Sequence, residues 1–500
     1  MLRDKLFVFR KNVGKENIIG ILFSFVLVLL FGFNSPLHPW IGREAATDSS
    51  VFKTVALMME HGYMPYKDSF DHKGPLLYII NFLGDMISQY RGVWAIEMIS
   101  LAVTIFMMYK ISRMSSSIIS SFFSVVVSFS LLFKFFKGGN LVEEYAMPLI
   151  AISTYIFIDY LKNNIISLAR IIIAGACFGM TLMLRPNMIA IWIVYCISIL
   201  IFLLIQKEYK ILWRYLLLFL LGIIIVIMPI LLWLVLNQDL SFFLQDYIIF
   251  NFKYSSATLN NKWECAIVFF ENLVYVIAMV SMAYHTIKNA NLLNVSYMCY
   301  LLLTVFMIAM GGAPYEHYGM VMVPAVAYPL SLLFEEIENI EDKQTEKVVY
   351  FLTTMFLICE IIANDWMELI KWIPADYVNR NENNRTEAVE HAVELIDVLT
   401  DEDDLITVYG NFDIIYVLSN RKHATRYSYQ YPIRWVRNEI IEEYFNELQE
   451  EMPKIVVVEK NRYDEEIDEF INNNKYSIVY AENNEEKESG LQVFSRIQEE

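Results

Sequence analysis

Long apolar runs separated by short polar segments dominate the first three quarters of this 500-residue chain. A run of about 20 apolar residues lets a helix cross the ~30 Å hydrocarbon core of a bilayer. The pattern predicts eleven membrane-spanning helices, near residues 18–33, 92–111, 117–136, 146–161, 168–184, 187–205, 213–236, 264–286, 292–310, 319–334 and 347–364. Residues 74–90 are apolar but short and contain Gly84 and Asp85. We therefore expect a re-entrant or interfacial helix there.

In the last quarter of the chain, the apolar segments are shorter. Apolar residues between 386 and 400 have helical spacing. Compact apolar runs predict buried strands, and longer amphipathic stretches predict helices between them. The strands are expected at residues 405–410, 454–459, 476–481 and 491–497. The sequence thus predicts a transmembrane domain at 1–364, with a first outer loop at about 37–91, and a small α/β domain at 375–500.

Charge separates the same two parts. Residues 365–500 carry a formal charge of −17, whereas residues 1–364 are neutral. Without a basic face, the chain has nothing to neutralise nucleic-acid phosphates, so we expect no nucleic-acid partner. An aromatic content of 15% also excludes a disordered acidic protein. The distribution of Lys and Arg among the connections favours a cytoplasmic N-terminus. An odd number of spans then predicts a C-terminal domain outside the cytoplasm, in a multi-pass protein of the cell membrane.

The first outer loop is dense in ionisable groups, as acid–base chemistry on a lipid-borne substrate would require. On spacing alone, a solvated loop with amphipathic helices explains it equally well. The loop also resembles that of the GT-C membrane glycosyltransferases, the relatives of protein O-mannosyltransferases and of the aminoarabinose transferase of lipid A. The resemblance rests on the motif Asp48…Gly62-x-x-Pro65-Tyr66-x-Asp68…His72-Lys73-Gly74-Pro75. It extends over residues 1–335 through the layout of the spans.

The resemblance implies transfer of a sugar from a polyprenyl phosphate to an acceptor hydroxyl on the outer face, with inversion. Asp48 matches the family's acidic residue and would act as general base. Ser49 departs from the family pattern, in which a second acid follows directly. The structural alternative for Asp48 is a helix N-cap.

Lys73 matches the family lysine that meets the lipid phosphate, since a departing phosphate needs fixed positive charge. His72 would assist it, and a snorkelling interfacial lysine is the alternative. Tyr66 and Asp68 belong to the same motif and are predicted to bind substrate.

Three other segments hold candidates. Glu143 or Glu144 would match a second family acid, and the sequence does not choose between them; the alternative is a solvated helix start. His317 and Tyr318 lie in a late outer loop, which would contact the donor by the same resemblance. The alternative is that the two residues form a solvated pair at the membrane interface. Arg185 is a further candidate for the phosphate.

Together with the predicted spans, the resemblance implies a polytopic α-helical membrane glycosyltransferase of GT-C type, with a catalytic transmembrane domain and an extracytoplasmic α/β domain. Its partners would be membrane lipid, a polyprenyl-linked sugar donor and a glycan, lipid or protein acceptor. No soluble cofactor is implied, and a divalent metal ion is left open. Two rival classes are a transporter or flippase of lipid-linked glycans and a membrane-anchored binding or sensory protein. The polar clusters lie in loops on one face and show no inverted repeat, which argues against transport.

Overall fold

The computed structural model of the chain is mainly helical and contains one five-stranded sheet. It describes residues 2–32, 35, 37–38, 48–89, 91–135, 139–164, 166–257, 262, 264–266, 272–311, 315–362, 384–431, 433–437, 439–481 and 490–496. Part of the predicted first outer loop, residues 39–47, and the predicted junction between the domains, residues 363–383, lie outside this description.

The α-helices are numbered in chain order. They are α1 Leu2–Gly32, α2 Asp48–Glu60, α3 Pro75–Ile87, α4 Val93–Ser112, α5 Ile118–Phe135, α6 Val142–Asn163, α7 Leu168–Leu182, α8 Ala190–Ile205, α9 Tyr209–Leu236, α10 Leu240–Phe243, α11 Phe250–Ala257, α12 Leu273–Lys288, α13 Leu292–Ala309, α14 Val323–Glu338, α15 Lys343–Ile361, α16 Asn384–Leu399, α17 Ile414–Ser419, α18 Glu439–Glu451 and α19 Glu465–Asn473. A π-helix, Leu244–Ile249, joins α10 to α11, and 3-10 helices cover Pro186–Met188, Glu316–Met322 and Lys460–Arg462.

Each of the eleven predicted spans contains a helix among its described residues. Among the described residues, five helical stretches are long and apolar enough to cross a membrane: Gly14–Gly32, Val93–Ser112, Tyr209–Leu236, Leu292–Ala309 and Glu316–Glu338. Helices α5, α7, α8 and α12 are apolar but shorter. The expected class, a polytopic helical fold, is therefore confirmed, whereas the number of eleven crossings stays a prediction.

The elements form two compact units. The first, which we call the helical unit, contains Met1–Ser35, Ala95–Ile230 and Thr258–Ile373. The second, the mixed unit, contains Pro36–Trp94, Leu231–Ala257 and Pro374–Glu500. The C-terminal domain thus shares a unit with the first loop and with α10, the π-helix and α11. The domain boundary between residues 364 and 375 stays a prediction.

Glycines let two helices of the helical unit approach closely. A Cβ added to Gly175 of α7 would lie 2.1 Å from the Phe219 carbonyl oxygen of α9. A Cβ added to Gly222 of α9 would lie 2.1 Å from the Ile172 oxygen of α7. Side chains at either position would separate the backbones, which is why small residues mark close helix crossings in membrane proteins.

The sheet of the mixed unit has the strand order β2-β1-β3-β5-β4. Its strands are β1 Leu405–Tyr409, β2 Lys422–His423, β3 Ile455–Glu459, β4 Tyr476–Ala481 and β5 Leu491–Arg496. Strand β1 pairs in parallel with β2 and β3, and β5 pairs antiparallel to both β3 and β4. The four predicted strands and the C-terminal α/β domain are confirmed; β2 and α17 were not predicted.

Helix α2 of the first loop is built into the core of the C-terminal domain. Its residues 51–58 are buried, and Leu57 belongs to the apolar cluster formed by the strands and helix α16. The Thr54 hydroxyl donates to the backbone oxygen of Asp413 at 3.1 Å. Burial of apolar surface therefore holds the first loop against the C-terminal domain.

Candidate functional site

The ten residues singled out from the sequence form two groups, one in each unit. We call the group in the mixed unit the first-loop cluster; it contains Asp48, Tyr66, Asp68, His72 and Lys73. We call the group in the helical unit the bundle cluster; it contains Glu143, Glu144, Arg185, His317 and Tyr318.

Lys73 lies two residues before helix α3. Its Nζ is 2.9 Å from His72 Nε2 and 5.7 Å from the centre of the Phe52 ring. A charged ammonium group can only donate hydrogen bonds, so the imidazole accepts through Nε2 and carries its proton on Nδ1. That nitrogen faces Asp71 Oδ1 at 3.4 Å. The imidazole is therefore neutral and lies between the Lys73 ammonium group, with which it forms a hydrogen bond, and the Asp71 carboxylate, which its Nδ1 approaches without forming one.

Aromatic residues after α9 hold the His72 ring. The ring stacks on Tyr254, with centroids 5.7 Å apart and planes inclined by 20°, and it contacts Phe250 at 5.4 Å. The Asn251 amide donates to the His72 backbone oxygen at 2.7 Å. These contacts fix the imidazole, and hence the direction from which it meets Lys73.

Asp71 is a functional candidate that the sequence analysis did not single out. It is 1% exposed. Its Oδ2 accepts a hydrogen bond from the Tyr78 hydroxyl at 2.9 Å, and its Oδ1 accepts from the Tyr429 hydroxyl at 2.9 Å and from the His72 backbone N–H at 2.7 Å. Because a buried carboxylate needs such donors, these three bonds hold it beside His72. The sequence feature that could have identified Asp71 is its position directly before His72 and Lys73.

Tyr66 and Asp68 support the loop from inside. Tyr66 is fully buried at a φ of 58°, and its hydroxyl donates to the Lys73 backbone oxygen at 2.8 Å. Asp68 Oδ2 accepts from the Met64 N–H at 2.7 Å and closes the turn. Both residues therefore position Lys73, and their direct contact with substrate stays a prediction.

Asp48 is the first residue of α2 and is exposed. Its side chain makes no hydrogen bond to any residue of the described chain, including the backbone of its own helix, in contrast to the capping alternative. Its charge is felt by Asp413, the buried residue before α17. Burial, together with smaller contributions from the charges of Asp71 and Asp48, raises the pKa of Asp413 to about 7. Asp48 is thus an accessible carboxylate beside further acidic residues.

Arg426, in the segment after β2, ties the first loop to α10 and the π-helix. Its Nε donates to the Tyr66 backbone oxygen at 2.6 Å, and its guanidinium group pairs with Asp246. Its own backbone oxygen accepts from the Phe70 N–H at 2.7 Å. Burial raises the pKa of Asp246 to about 7 against the opposing charge of Arg426. The sequence analysis did not single out Arg426. The one feature that could have indicated it is an arginine beside alternating tyrosines in an acidic domain.

The bundle cluster centres on Arg185, which precedes a 3-10 helix. Its guanidinium group donates to Glu143 Oε1 at 2.8 Å and lies 3.9 Å from the centre of the Tyr318 ring. The His317 ring meets Tyr318 edge-on at 4.7 Å. Four predicted residues from three segments thus meet, but the positive charge of Arg185 is already matched by Glu143.

The structure distinguishes the two adjacent glutamates. Glu144 is fully buried, and its Oε1 accepts from the Leu141 N–H at 2.9 Å, so it caps its own helix. Glu97 supports the same turn by accepting from the Asn140 N–H at 3.2 Å. Glu143 instead faces Arg185. Glu143 is therefore the better candidate for substrate chemistry.

No group of three or more metal-binding side chains converges anywhere in the described part of the chain.

Comparisons with known proteins identify the fold. Residues 11–354 match the family model described as the putative competence-induced protein Ccs4 N-terminal domain. No curated protein matches the chain in sequence. The structure is similar to that of ArnT from Cupriavidus metallidurans bound to undecaprenyl phosphate, with a TM-score of 0.63, 8% identity and coverage of 96% of this chain and 98% of that chain. The apo state of the same protein gives a TM-score of 0.58, 10% identity and coverage of 95% and 97%. These similarities confirm the expected GT-C fold.

Proposed function

We propose that this chain, which belongs to the family of the putative competence-induced protein Ccs4, is an integral membrane glycosyltransferase. It would transfer a sugar from a polyprenyl-phosphate donor to an acceptor hydroxyl on the outer face of the cell membrane. The observation that carries the proposal is the hydrogen bond between Lys73 and His72 beside the buried Asp71 carboxylate, within a GT-C fold. ArnT, which has the same fold, was crystallised with undecaprenyl phosphate, which supports a polyprenyl phosphate as the lipid.

Lys73 would hold the donor phosphate. When the bond between the anomeric carbon and the phosphate oxygen breaks, the electron pair and a negative charge stay on the phosphate. A preorganised ammonium group stabilises that charge as it develops. His72 leaves the ammonium positive because a neutral imidazole only accepts from it. The Asp71 carboxylate, 3.4 Å from Nδ1, favours a proton on that nitrogen. Arg185 is a weaker candidate, since Glu143 already neutralises it.

Asp48 would take the proton. The acceptor oxygen attacks the anomeric carbon from the side opposite the phosphate, and its hydroxyl proton passes to the carboxylate. Asp48 suits this role because it is exposed and makes no hydrogen bond to the described residues.

Release of free polyprenyl phosphate from polyprenyl-phosphate sugars, by the purified protein with membrane-extract acceptors, tests the proposal. We expect release by the wild type. Asp48→Asn should lower the rate about 10²- to 10⁴-fold, and Lys73→Met about 10²- to 10³-fold. Lys67→Met is the matched control, because Lys67 lies in the same loop, is exposed, and its ammonium group contacts no described residue.

Each outcome has a definite meaning. Release lost in the Lys73 variant and kept in the Lys67 variant supports the proposal. Equal rates for wild type and Asp48→Asn would move the base to another carboxylate, first of all Glu143. Movement of the donor across the bilayer without release of phosphate would replace the proposal by a flippase.

A further inference from the structure

A second polar surface lies at the carboxyl ends of the parallel strands of the C-terminal domain. The chain leaves β1 towards β2 on one side and returns from β2 to β3 on the other. The crevice outside β1 and β3 is therefore the point where the strand order reverses, which is where open α/β sheets bind ligands. The segment after β2 and the turn after β3 both reach this edge.

Two arginines flank one tyrosine at this edge. The Arg434 guanidinium carbon lies 4.2 Å from the centre of the Tyr431 ring, and that of Arg462 lies 4.5 Å from it. We call these three residues the arginine–tyrosine cluster. Neither guanidinium group donates a hydrogen bond to a residue that the structure describes, and the side chains are 42% and 44% exposed. Stacking on the ring orients both groups and leaves their N–H edges open.

The two acidic residues nearest the cluster, Asp464 and Glu459, form no hydrogen bond with its guanidinium groups. Asp464 Oδ2 accepts from the hydroxyls of Tyr409 at 2.7 Å and Tyr431 at 2.9 Å, and its Oδ1 accepts from the Ile467 N–H at 3.2 Å. Arg434 therefore approaches Asp464 only to 4.0 Å. Arg462 approaches the buried Glu459 to 3.9 Å, beyond hydrogen-bond distance. Among the residues that the structure describes, these two positive charges thus have no hydrogen-bonded counter-ion.

Other arginines of the domain are used structurally. Arg421 donates to the Thr400 hydroxyl at 3.0 Å and to the Ser419 oxygen at 2.7 Å. Arg426 binds Tyr66 and Asp246. Arg421 and Arg426 thus use their guanidinium groups in hydrogen bonds within the protein, whereas those of the arginine–tyrosine cluster are open.

An aromatic path connects the cluster with Lys73. Trp435, which follows Arg434 in sequence, is 48% exposed, and its ring lies 5.2 Å from that of Tyr254. The ring of Tyr254 stacks on His72, which contacts Lys73. An exposed indole offers a flat apolar face of the kind that packs against a ligand ring. A chain-like ligand bound at the cluster would therefore extend towards the first-loop cluster.

We infer that the arginine–tyrosine cluster binds an anionic group, a phosphate or a carboxylate, on the acceptor glycan. Guanidinium groups bind both anions through paired N–H donors. The identification of the ligand as the acceptor rests on the proposed function, whereas the binding itself does not. The ligand class is thus an acidic polyol or sugar polymer.

Binding of three polymers to the full chain in nanodiscs, without donor lipid, tests the inference. The polymers are poly(glycerol phosphate), oligogalacturonate and neutral dextran. We expect binding of at least one acidic polymer and about tenfold weaker binding by Arg434→Gln/Arg462→Gln. Arg434→Lys/Arg462→Lys should give intermediate affinity, because charge is kept and the planar fork is lost. Lys475→Gln/Arg496→Gln removes two charges at the opposite end of the sheet and should bind like the wild type.

The outcomes separate the possible ligands. Preference for the phosphate polymer or for the uronate supports the inference and identifies the anion. Equal binding of dextran, unchanged affinity of the double Gln variant, or equal weakening by the Lys475/Arg496 control overturns it. Donor turnover is measured separately, so loss of transfer with intact polymer binding would count against the proposed function alone.

Discussion

The two clusters differ in the group that contacts their positively charged side chain. In the bundle cluster, Arg185 is paired directly with Glu143 at 2.8 Å, so its charge is largely cancelled. In the first-loop cluster, a neutral imidazole separates Lys73 from Asp71. An ammonium group that contacts no carboxylate directly can still attract an anion, whereas a paired guanidinium group must first exchange partners. This difference favours Lys73 over Arg185 as the phosphate ligand.

The clusters also differ in what holds them. The bundle cluster uses residues of helix termini within the helical unit. The first-loop cluster depends on the C-terminal domain, through Arg426 and Tyr429. The C-terminal domain is therefore part of the candidate site rather than an appendage, and its contacts offer the strongest ways to test the comparison.

The largest expected effect is that of Arg426→Met on stability. The variant leaves the buried Asp246 carboxylate without its cation, and loss of one partner of a buried pair costs about 3–5 kcal/mol. We expect thermal unfolding of the purified protein to shift accordingly. Arg434→Met is the control; it should stay within about 0.5 kcal/mol of the wild type, since the Arg434 side chain makes no hydrogen bond to the described residues. Similar stabilities of the two variants would contradict the role of Arg426.

This dependence on Arg426 explains why sequence predicted the two clusters unequally. Lys73 and His72 are adjacent and belong to a local motif, so resemblance to a family found them. Arg426 and Tyr429 lie more than 350 residues from Tyr66 and Asp71. Contacts at such separations leave no local periodicity and arise only from packing of the folded chain.

Glu143 and Glu144 show a second reason why the sequence did not predict the whole site. The apolar pattern placed the start of the span at residue 146, whereas α6 begins at Val142. With the observed start, Glu144 falls at the third helical position and accepts from the backbone of Leu141, as in a capping box. Hydrophobic runs locate helices well and their ends poorly. The strands of residues 405–409 and 455–459 were predicted because they are continuous apolar runs, whereas the two-residue β2 has no such signal.

The next effect concerns Asp413 and pH. Its pKa is about 7 in the folded protein and 3.8 ordinarily, so the folded state keeps a proton that the unfolded state loses. The resulting stabilisation is present below about pH 4 and disappears as pH rises through 7, a change on the order of 2–4 kcal/mol. Asp413→Asn should therefore gain stability relative to the wild type as pH rises from 4 to 8. The difference between the two proteins at each pH cancels other titrating groups, and a difference independent of pH would contradict the assignment.

A double-mutant cycle compares the two clusters directly. Glu143→Gln, Arg185→Gln and the double variant should show a coupling energy of about 0.5–3 kcal/mol in stability, since the two charges are in contact. The corresponding cycle of His72→Phe and Lys73→Met should show less coupling, because its imidazole is neutral. Denaturation in nanodiscs measures both cycles. Equal coupling energies would contradict the claim that Arg185 is paired with a charged group and Lys73 with a neutral one.

The smallest effect on transfer is expected for Tyr429→Phe, which removes one hydrogen bond and keeps the ring. Asp71 then loses one of three donors, at a cost of about 1–3 kcal/mol for a buried acceptor. Because Asp71 orients His72 rather than touching the donor, we expect transfer to fall by about tenfold or less, with KM for the donor nearly unchanged. Tyr463→Phe is the control, since it removes a hydroxyl bonded to Asp468 at 2.8 Å on the exposed surface. A Tyr429 variant as active as this control would show that the C-terminal domain supports the fold of the first loop without tuning its chemistry.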